Sequence, residues 1–184
     1  VAATIPGALA GFSLGKQAET VFRTPYRIAL LLAVMGILLY LADRMARHQR
    51  RLPGITLKDA LLVGFAQALA IMPGVSRSGS TMTMGLFLGF TRETAARFSF
   101  LLSTPIIFGA GLYHVLKIIK NGTSESFINL PYVLGFLAAI ISSYLTIKFL
   151  LRFLQRHTFV VFAVYRLLLA GLILGLEFFQ VVPK

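Results

Sequence analysis

Near the middle of the chain lies the segment Pro73-Gly74-Val75-Ser76-Arg77-Ser78-Gly79-Ser80-Thr81, between two strongly apolar stretches. Its glycines let the backbone turn tightly and approach a ligand closely. Its hydroxyls donate hydrogen bonds, and the planar guanidinium of Arg77 matches the oxygens of a phosphate or carboxylate. The apolar residues from Met82 to Leu88 predict that a helix begins here and directs its positive dipole end at the loop. We therefore interpret the segment as half of a phosphate-processing site inside a membrane.

The composition indicates a polytopic membrane protein. Of the 184 residues, 57% are hydrophobic and 13% charged, whereas a soluble domain is about half apolar and about a quarter charged. The absence of cysteine excludes disulfides and thiolate metal sites. The net charge of +12 does not indicate a nucleic-acid partner, because the basic residues form short clusters between apolar runs, as in loops at a membrane surface.

The region from Asp59 to Phe90 predicts a re-entrant hairpin. The polar segment divides it into Ala60–Met72 and Ser80–Phe90, which are 13 and 11 residues long. At a rise of about 1.5 Å per residue, neither arm crosses a hydrocarbon core of about 30 Å. Both arms therefore enter from one side, with the tip near the bilayer midplane, where irregular backbone must be buried in protein or line a cavity.

The rest of the chain predicts an all-α membrane domain covering residues 1–184. Val1–Leu14 is too short to span and is interpreted as the end of a helix, which suggests a fragment whose N-terminus lies further upstream. Gly15–Arg27 and Lys117–Asn129 are predicted to be polar connections, and Thr91 the N-cap of a helix. The predicted spans are Tyr26–Ala42, Phe98–Leu116, Leu130–Ile147 and Phe159–Leu176.

The distribution of lysine and arginine predicts the orientation. Ten of these residues fall on the side of the hairpin's base and six on the other side. The positive-inside rule then places the base in the cytoplasm and the C-terminus outside.

Arg77 is the first candidate for chemistry. An arginine near the bilayer centre costs between about 3 and about 15 kcal/mol, so a ligand or a buried partner must account for it. The alternative is a structural arginine that donates to backbone carbonyls where a helix is broken. The glycines and hydroxyls around Arg77 favour the ligand-binding interpretation.

The hydroxyls of Ser76, Ser78, Ser80 and Thr81 have two interpretations. Such residues at a helix start usually act as caps. Four hydroxyls within six residues exceed what capping needs, so we favour Ser76, Ser78 and Thr81 as donors to phosphate oxygens.

Other polar and small residues of the apolar segments leave alternatives open. Gln67 either bonds across a helix interface or lines the site. For Arg166 in the last span, structural pairing or snorkelling is favoured over catalysis. The small residues of the hairpin are predicted to let its two arms pack closely; they are Ala60, Gly64, Ala68, Gly85 and Gly89. The three histidines are scattered, and the sequence assembles no complete metal site or nucleophile–base pair.

The stretch from Ala68 to Thr81, ALAIMPGVSRSGST, resembles the second signature of the bacterial undecaprenyl-diphosphate phosphatases, the bacitracin-resistance family. The continuation from Leu88 to Leu102, the segment Ala3–Pro6 and the segment Leu41–Arg44 also resemble that family, so the similarity extends over essentially the whole chain.

This resemblance implies a hydrolase of the bacterial inner membrane that removes the terminal phosphate of undecaprenyl diphosphate. It thereby recycles the lipid carrier for cell-wall synthesis and confers bacitracin resistance. The implied fold is an inverted repeat with two re-entrant hairpins, whose loops meet at a site open to the periplasm. Arg77 and Ser76 are the implied catalytic residues, a divalent cation (Mg²⁺ or Ca²⁺) the cofactor, and a homodimer is considered. The implied diphosphate-binding residues are Gly74, Ser76, Arg77, Ser78, Gly79 and Thr81, with Gln67, Ser99 and Ser103 as further lining.

The sequence departs from the family pattern in one respect. The first signature, a Glu-x-x-x-Glu helix followed by a Pro-Val-Ser-Ser-Thr-Gly-His loop, does not occur in these 184 residues. It would supply the carboxylates for the metal and the histidine, so the chain alone is expected to be inactive. The alternative function is a transporter of lipid phosphate or another anion, since broken helices facing an anion are also a transporter device.

Overall fold

The computed structural model describes residues 2–120 and 130–179. Regular structure in these ranges is helical, which confirms the predicted all-α class. Seven α-helices lie within them: α1 (Thr4–Phe22), α2 (Pro25–Met45), α3 (Leu57–Ala68), α4 (Arg77–Phe87), α5 (Arg92–Lys120), α6 (Leu130–Leu154) and α7 (Val160–Phe178). Lys117–Asn129 was predicted to be a polar connection, but its first residues belong to α5, which ends at Lys120. Residues 121–129 lie outside the described ranges.

Four helices, α2, α5, α6 and α7, are long and apolar enough to cross a membrane. This agrees with the four predicted spans and makes the chain a polytopic membrane protein. The predicted N-cap at Thr91 is confirmed, because its Oγ1 accepts a hydrogen bond from the amide of Thr94 at 3.2 Å. Within the core, Leu86 and Phe90 are fully buried, and Phe159 is 2% exposed.

The predicted hairpin is present as α3, a short 3₁₀ turn (Leu69–Ile71), a tip and α4. The second arm begins at Arg77 and not at Ser80, so the polar loop is shorter than predicted. The reason is the cap: the Oγ of Ser76 accepts a hydrogen bond from the amide of Gly79 at 3.2 Å. Residues 78–81 therefore lie in the first turns of α4.

Arg50 closes the base of the hairpin. Its guanidinium donates to the Asp59 carboxylate at the start of α3, with an NH1–Oδ1 distance of 3.0 Å. It also donates to the carbonyl of Leu88, just after α4, at 3.1 Å. Both arms therefore return to the same end of the molecule, as a re-entrant hairpin requires.

The N-terminal helix corrects a second prediction. Gly15–Arg27 was predicted as a polar connection, but α1 continues to Phe22. Polarity alone does not end a helix, since Lys, Gln and Glu have good helix propensity. The helix ends before Thr24, which is extended (ψ 139°) because it precedes Pro25.

The small residues were predicted to let the two arms pack closely on each other, but the close neighbours of Gly64 and Gly85 do not belong to the opposite arm. A Cβ on Gly64 would collide with the backbone of Ala3, the N-cap residue of α1. A Cβ on Gly85 would meet Phe90 and Ala95, the latter in α5. These two glycines therefore seat the hairpin against α1 and α5.

Candidate phosphate-binding site

Arg166 of α7 holds the tip of the hairpin. Its NH2 donates to the carbonyl oxygens of Gly74 and Val75, both at 2.9 Å. The side chain is buried, and NH1 occupies the space where a Cβ on Gly79 would lie. Gly74 has a φ of +96°, a conformation that glycine adopts without strain. The structural interpretation of Arg166 is thus confirmed. The role considered as the alternative for Arg77, donation to backbone carbonyls at the broken helix, is performed by Arg166.

Arg77 lies at the first position of α4 and is half-buried. Its guanidinium makes no hydrogen bond or ion pair with any residue in the described ranges. It lines a cavity of about 450 Å³ between the hairpin tip, α5 and α6. Arg166 bonds the loop carbonyls, and with respect to the described part of the chain all donors of Arg77 are available to a ligand.

Five residues with hydroxyl groups line this cavity together with Arg77. Ser78 of α4 and Ser103 of α5 were candidates from the sequence, whereas three residues of α6 were not; these are Ser142, Ser143 and Thr146. The hydroxyls of Ser143 and Thr146 make no hydrogen bond to a residue of the described ranges. Their spacing of three along an apolar helix places them on one face, and this is the signal that could have identified them.

Ser76 and Ser78 lie together at the tip, and Ser78 also lines the Arg77 cavity. Both are exposed, with their Oγ atoms 3.4 Å apart. They also line a cavity of about 230 Å³ that Arg166 borders. Ser76 has a φ of +66°, which is uncommon for a residue other than glycine and costs backbone strain. The strain positions the Ser76 hydroxyl beside that of Ser78 at the tip.

Thr81 and Ser99 lie away from the cavity. They are 2% and 1% exposed, and their hydroxyl oxygens are 2.7 Å apart, which links α4 to α5. Ser80 is similarly committed, because its hydroxyl donates to the carbonyl of Arg77 at 3.0 Å. The ligand-binding roles of Thr81 and Ser99 stay predictions.

Gln67 is also separate from the Arg77 cavity. It is 3% exposed and packs against Gly7 of α1. Neither its amide oxygen nor its nitrogen has a hydrogen-bond partner within the described ranges. The residue does lie at a helix interface, but the bond expected across that interface is not formed there.

The residues around Arg77 do not fit a divalent cation. The cavity is lined by the guanidinium, hydroxyls and apolar side chains, with no carboxylate or imidazole among them. The described ranges contain no group of three His, Cys, Asp or Glu that could hold a metal. Asp43 and Asp59 are engaged by arginines. The cation implied by the family resemblance therefore remains an expectation, and no step is derived through it.

The fold and the site together define a class: a polytopic membrane protein with a helical hairpin that presents an arginine and hydroxyls at its tip. Residues 1–172 match the family model described as bacitracin resistance protein BacA. This chain belongs to that family.

Curated relatives with the name undecaprenyl-diphosphatase are similar over almost the whole chain. The protein of Moorella thermoacetica is 51% identical over 175 residues, which cover 95% of this chain and 65% of the relative. That of Pelotomaculum thermopropionicum is 51% identical, covering 94% and 63%. That of Geobacter sulfurreducens is 46% identical, covering 97% and 66%. The chain thus spans just under two thirds of the length of these relatives.

Proposed function

We propose that this chain provides the diphosphate-binding part of an undecaprenyl-diphosphatase. In the proposed reaction, water adds to the terminal phosphorus of undecaprenyl diphosphate and the phosphoanhydride bond breaks. The products are undecaprenyl phosphate and inorganic phosphate. The observation that carries the proposal is the guanidinium of Arg77, which lines a hydroxyl-lined cavity and has no partner among the residues that the structure describes, in a chain of the BacA family.

In this proposal each tip residue has a separate task. Arg77 binds the diphosphate and stabilises the charge that develops as the anhydride bond breaks. Ser78 and the α6 hydroxyls donate to the remaining oxygens. Ser76, held in a strained conformation beside them, is the second catalytic candidate. Arg166 positions the tip through its bonds to the carbonyls of Gly74 and Val75.

The location and partners belong to the same proposal. We place the chain in the bacterial inner membrane, with the Arg77 cavity open towards the periplasm and the polyprenyl chain in the surrounding lipid. The role would be recycling of the lipid carrier for cell-wall synthesis and resistance to bacitracin. A second copy of the chain is a proposed partner, and cross-linking in membranes would test it.

Binding of a soluble prenyl diphosphate tests the role of Arg77. Farnesyl diphosphate is titrated calorimetrically into the 184-residue chain in neutral detergent. We expect Arg77→Gln to weaken binding by about tenfold or more, because a hydrogen bond to a charged group contributes about 1.5–3 kcal/mol. Arg152→Gln is the matched control, since Arg152 is exposed on α6 and lies outside the cavity. Unchanged affinity of Arg77→Gln would remove Arg77 from the site.

Phosphate release tests how complete the site is. We expect the 184-residue chain to release no phosphate from undecaprenyl diphosphate with Mg²⁺ or Ca²⁺, because the Arg77 cavity has no carboxylate to hold the cation. Cation-dependent release above a no-protein blank would contradict this expectation. Movement of labelled lipid phosphate across vesicles without hydrolysis would instead favour the transporter alternative.

A further inference from the structure

A second cavity lies at the base of the hairpin, at the opposite end of α4 from Arg77. It measures about 460 Å³ and is formed by the α2–α3 connection, the start of α5 and the end of α6. Its charged and polar lining includes His48, Arg51, Arg92, Glu93, Arg97 and Gln155. The cavity is therefore predominantly cationic.

The position of this base cavity corresponds to the level of lipid headgroups. Two of its walls are the ends of membrane-crossing helices: α5 begins at Arg92 and α6 ends at Leu154. Leu154 contributes an apolar side chain to the lining and is 2% exposed. A cavity that lies where two spans end, and that is lined by arginines as well as apolar side chains, is expected at the depth of a phospholipid phosphate.

The cations of the base cavity differ in their availability. Arg92 is committed to the buried carboxylate of Asp43, with an Nε–Oδ1 distance of 2.6 Å. Arg97 has only an exposed pair with Glu93 one turn before it, at 3.3 Å, and such pairs contribute little. Arg51 makes no ion pair or hydrogen bond with its side chain to any residue of the described ranges. Arg51 and Arg97 can therefore bind an incoming anion, with Glu93 as the only opposing carboxylate in the lining.

We propose that the base cavity binds the phosphate of an anionic phospholipid headgroup. Arg51 and Arg97 donate to the phosphate oxygens, in the geometry for which guanidinium is suited. The acyl chains run along the exposed apolar surfaces of α5 and α6. This site is separate from the Arg77 cavity and does not depend on the function proposed for it.

Thermal unfolding with short-chain lipids tests the proposal. The chain in neutral detergent is followed by circular dichroism while dioctanoyl phosphatidylglycerol, dioctanoyl phosphatidylcholine or inorganic phosphate is added. A ligand that binds only the folded state raises Tm in a saturable way. We expect phosphatidylglycerol to raise Tm and the other two to have no such effect. In the double variant Arg51→Gln/Arg97→Gln, the phosphatidylglycerol concentration that gives half of the maximal Tm shift should be about tenfold higher than in the unsubstituted chain, because two charge-assisted contacts are lost.

The matched control is Arg47→Gln/Arg152→Gln, which removes the same charge at the same end of the molecule from residues that do not line the base cavity. Its half-maximal lipid concentration should stay within about twofold of the original. An equal loss in both double variants would overturn the proposal in favour of surface charge. An undiminished response of Arg51→Gln/Arg97→Gln would also overturn it, and equal protection by inorganic phosphate would overturn the lipid as ligand. Unaltered helicity and Tm without lipid establish that the variants fold.

Discussion

Arg166 and Arg77 lie beside the same loop and have different environments. Burial of an arginine in an apolar surrounding is costly unless its donors are hydrogen-bonded. The NH2 of Arg166 bonds the carbonyls of Gly74 and Val75, whereas its buried Nε has no partner in the described ranges. Those carbonyls lie at the tip between two helices, where they have no helical partner. Arg77 instead faces a cavity. These different environments explain why Arg166 has a structural role and why Arg77 is available to a ligand.

At the residue scale, Arg166→Gln is expected to loosen the tip. The shorter amide cannot reach both carbonyls, and a lost bond to a charged group costs about 1.5–3 kcal/mol. We expect a lower Tm and faster hydrogen exchange at residues 74–79. Arg152→Gln, on an exposed site of α6, should change stability by less than about 0.5 kcal/mol. Equal exchange rates at the tip in both variants would show that Arg166 does not hold it.

At the element scale, the hairpin depends on its neighbours. Neither arm is long enough to span, and α4 packs against α2, α3 and α5, while α3 packs against α1. The Thr81–Ser99 hydroxyl pair ties α4 to α5, and Gly64 lets α3 approach α1. The hairpin thus packs against longer helices on part of its surface, while Phe65 and Leu69 on its first arm stay exposed. Irregular backbone at membrane depth requires such contacts with protein or a cavity.

Gly64→Ala tests this close approach. The added Cβ would collide with backbone atoms of Ala3, and the backbone can yield only if α1 shifts. Overpacking of this kind costs about 1–3 kcal/mol, so we expect a lower Tm. Gly11→Ala is the control on α1, because a Cβ there meets nothing within 4 Å and alanine favours the helix by about 1 kcal/mol. If both substitutions raised Tm alike, the proposed α1–α3 contact would be wrong.

At the scale of the whole molecule, two carboxylates join the connections at the hairpin's base. Asp59 binds Arg50, which also reaches Leu88. Asp43 has a fully buried side chain and accepts from Arg92 and from the amide of Phe159 at 3.2 Å. The connections α2–α3, α4–α5 and α6–α7 are thereby held together by charge-assisted bonds, which are stronger than neutral ones.

This arrangement predicts a loss of stability in acid. Hydrogen bonds from the Arg50 guanidinium, and then from Thr56, hold the pKa of Asp59 well below its usual range. Because the folded pKa lies below the unfolded value of about 3.9, the contribution is complete above that pH and is lost as the pH falls below it. Asp59→Asn should therefore lower Tm at pH 7 and reduce the fall in Tm between about pH 5 and pH 2.5. Circular dichroism melts at several pH values would measure this. An unchanged acid slope in the variant would assign the effect to other carboxylates.

The sequence by itself determined the membrane class, the four spans and the interruption of the hairpin. These properties depend on local hydropathy and on length, and an arm of 13 or 11 residues cannot cross a bilayer in any tertiary arrangement. The same local logic identified the cap at Thr91. The prediction of a connection at Gly15–Arg27 was wrong, because polar residues with good helix propensity can extend a helix.

Only the tertiary structure decided which groups surround the tip. Arg166 lies 92 positions from Gly74, and Ser143 of α6 lines the Arg77 cavity from a helix that is far away in sequence. No periodicity along the chain encodes such pairs, since helix packing brings them together. The same packing placed Thr81 against Ser99 and Gln67 against α1. Composition and spacing thus predicted a phosphate-binding loop in a membrane. The fold determined which side chains of that loop remain free to bind a phosphate.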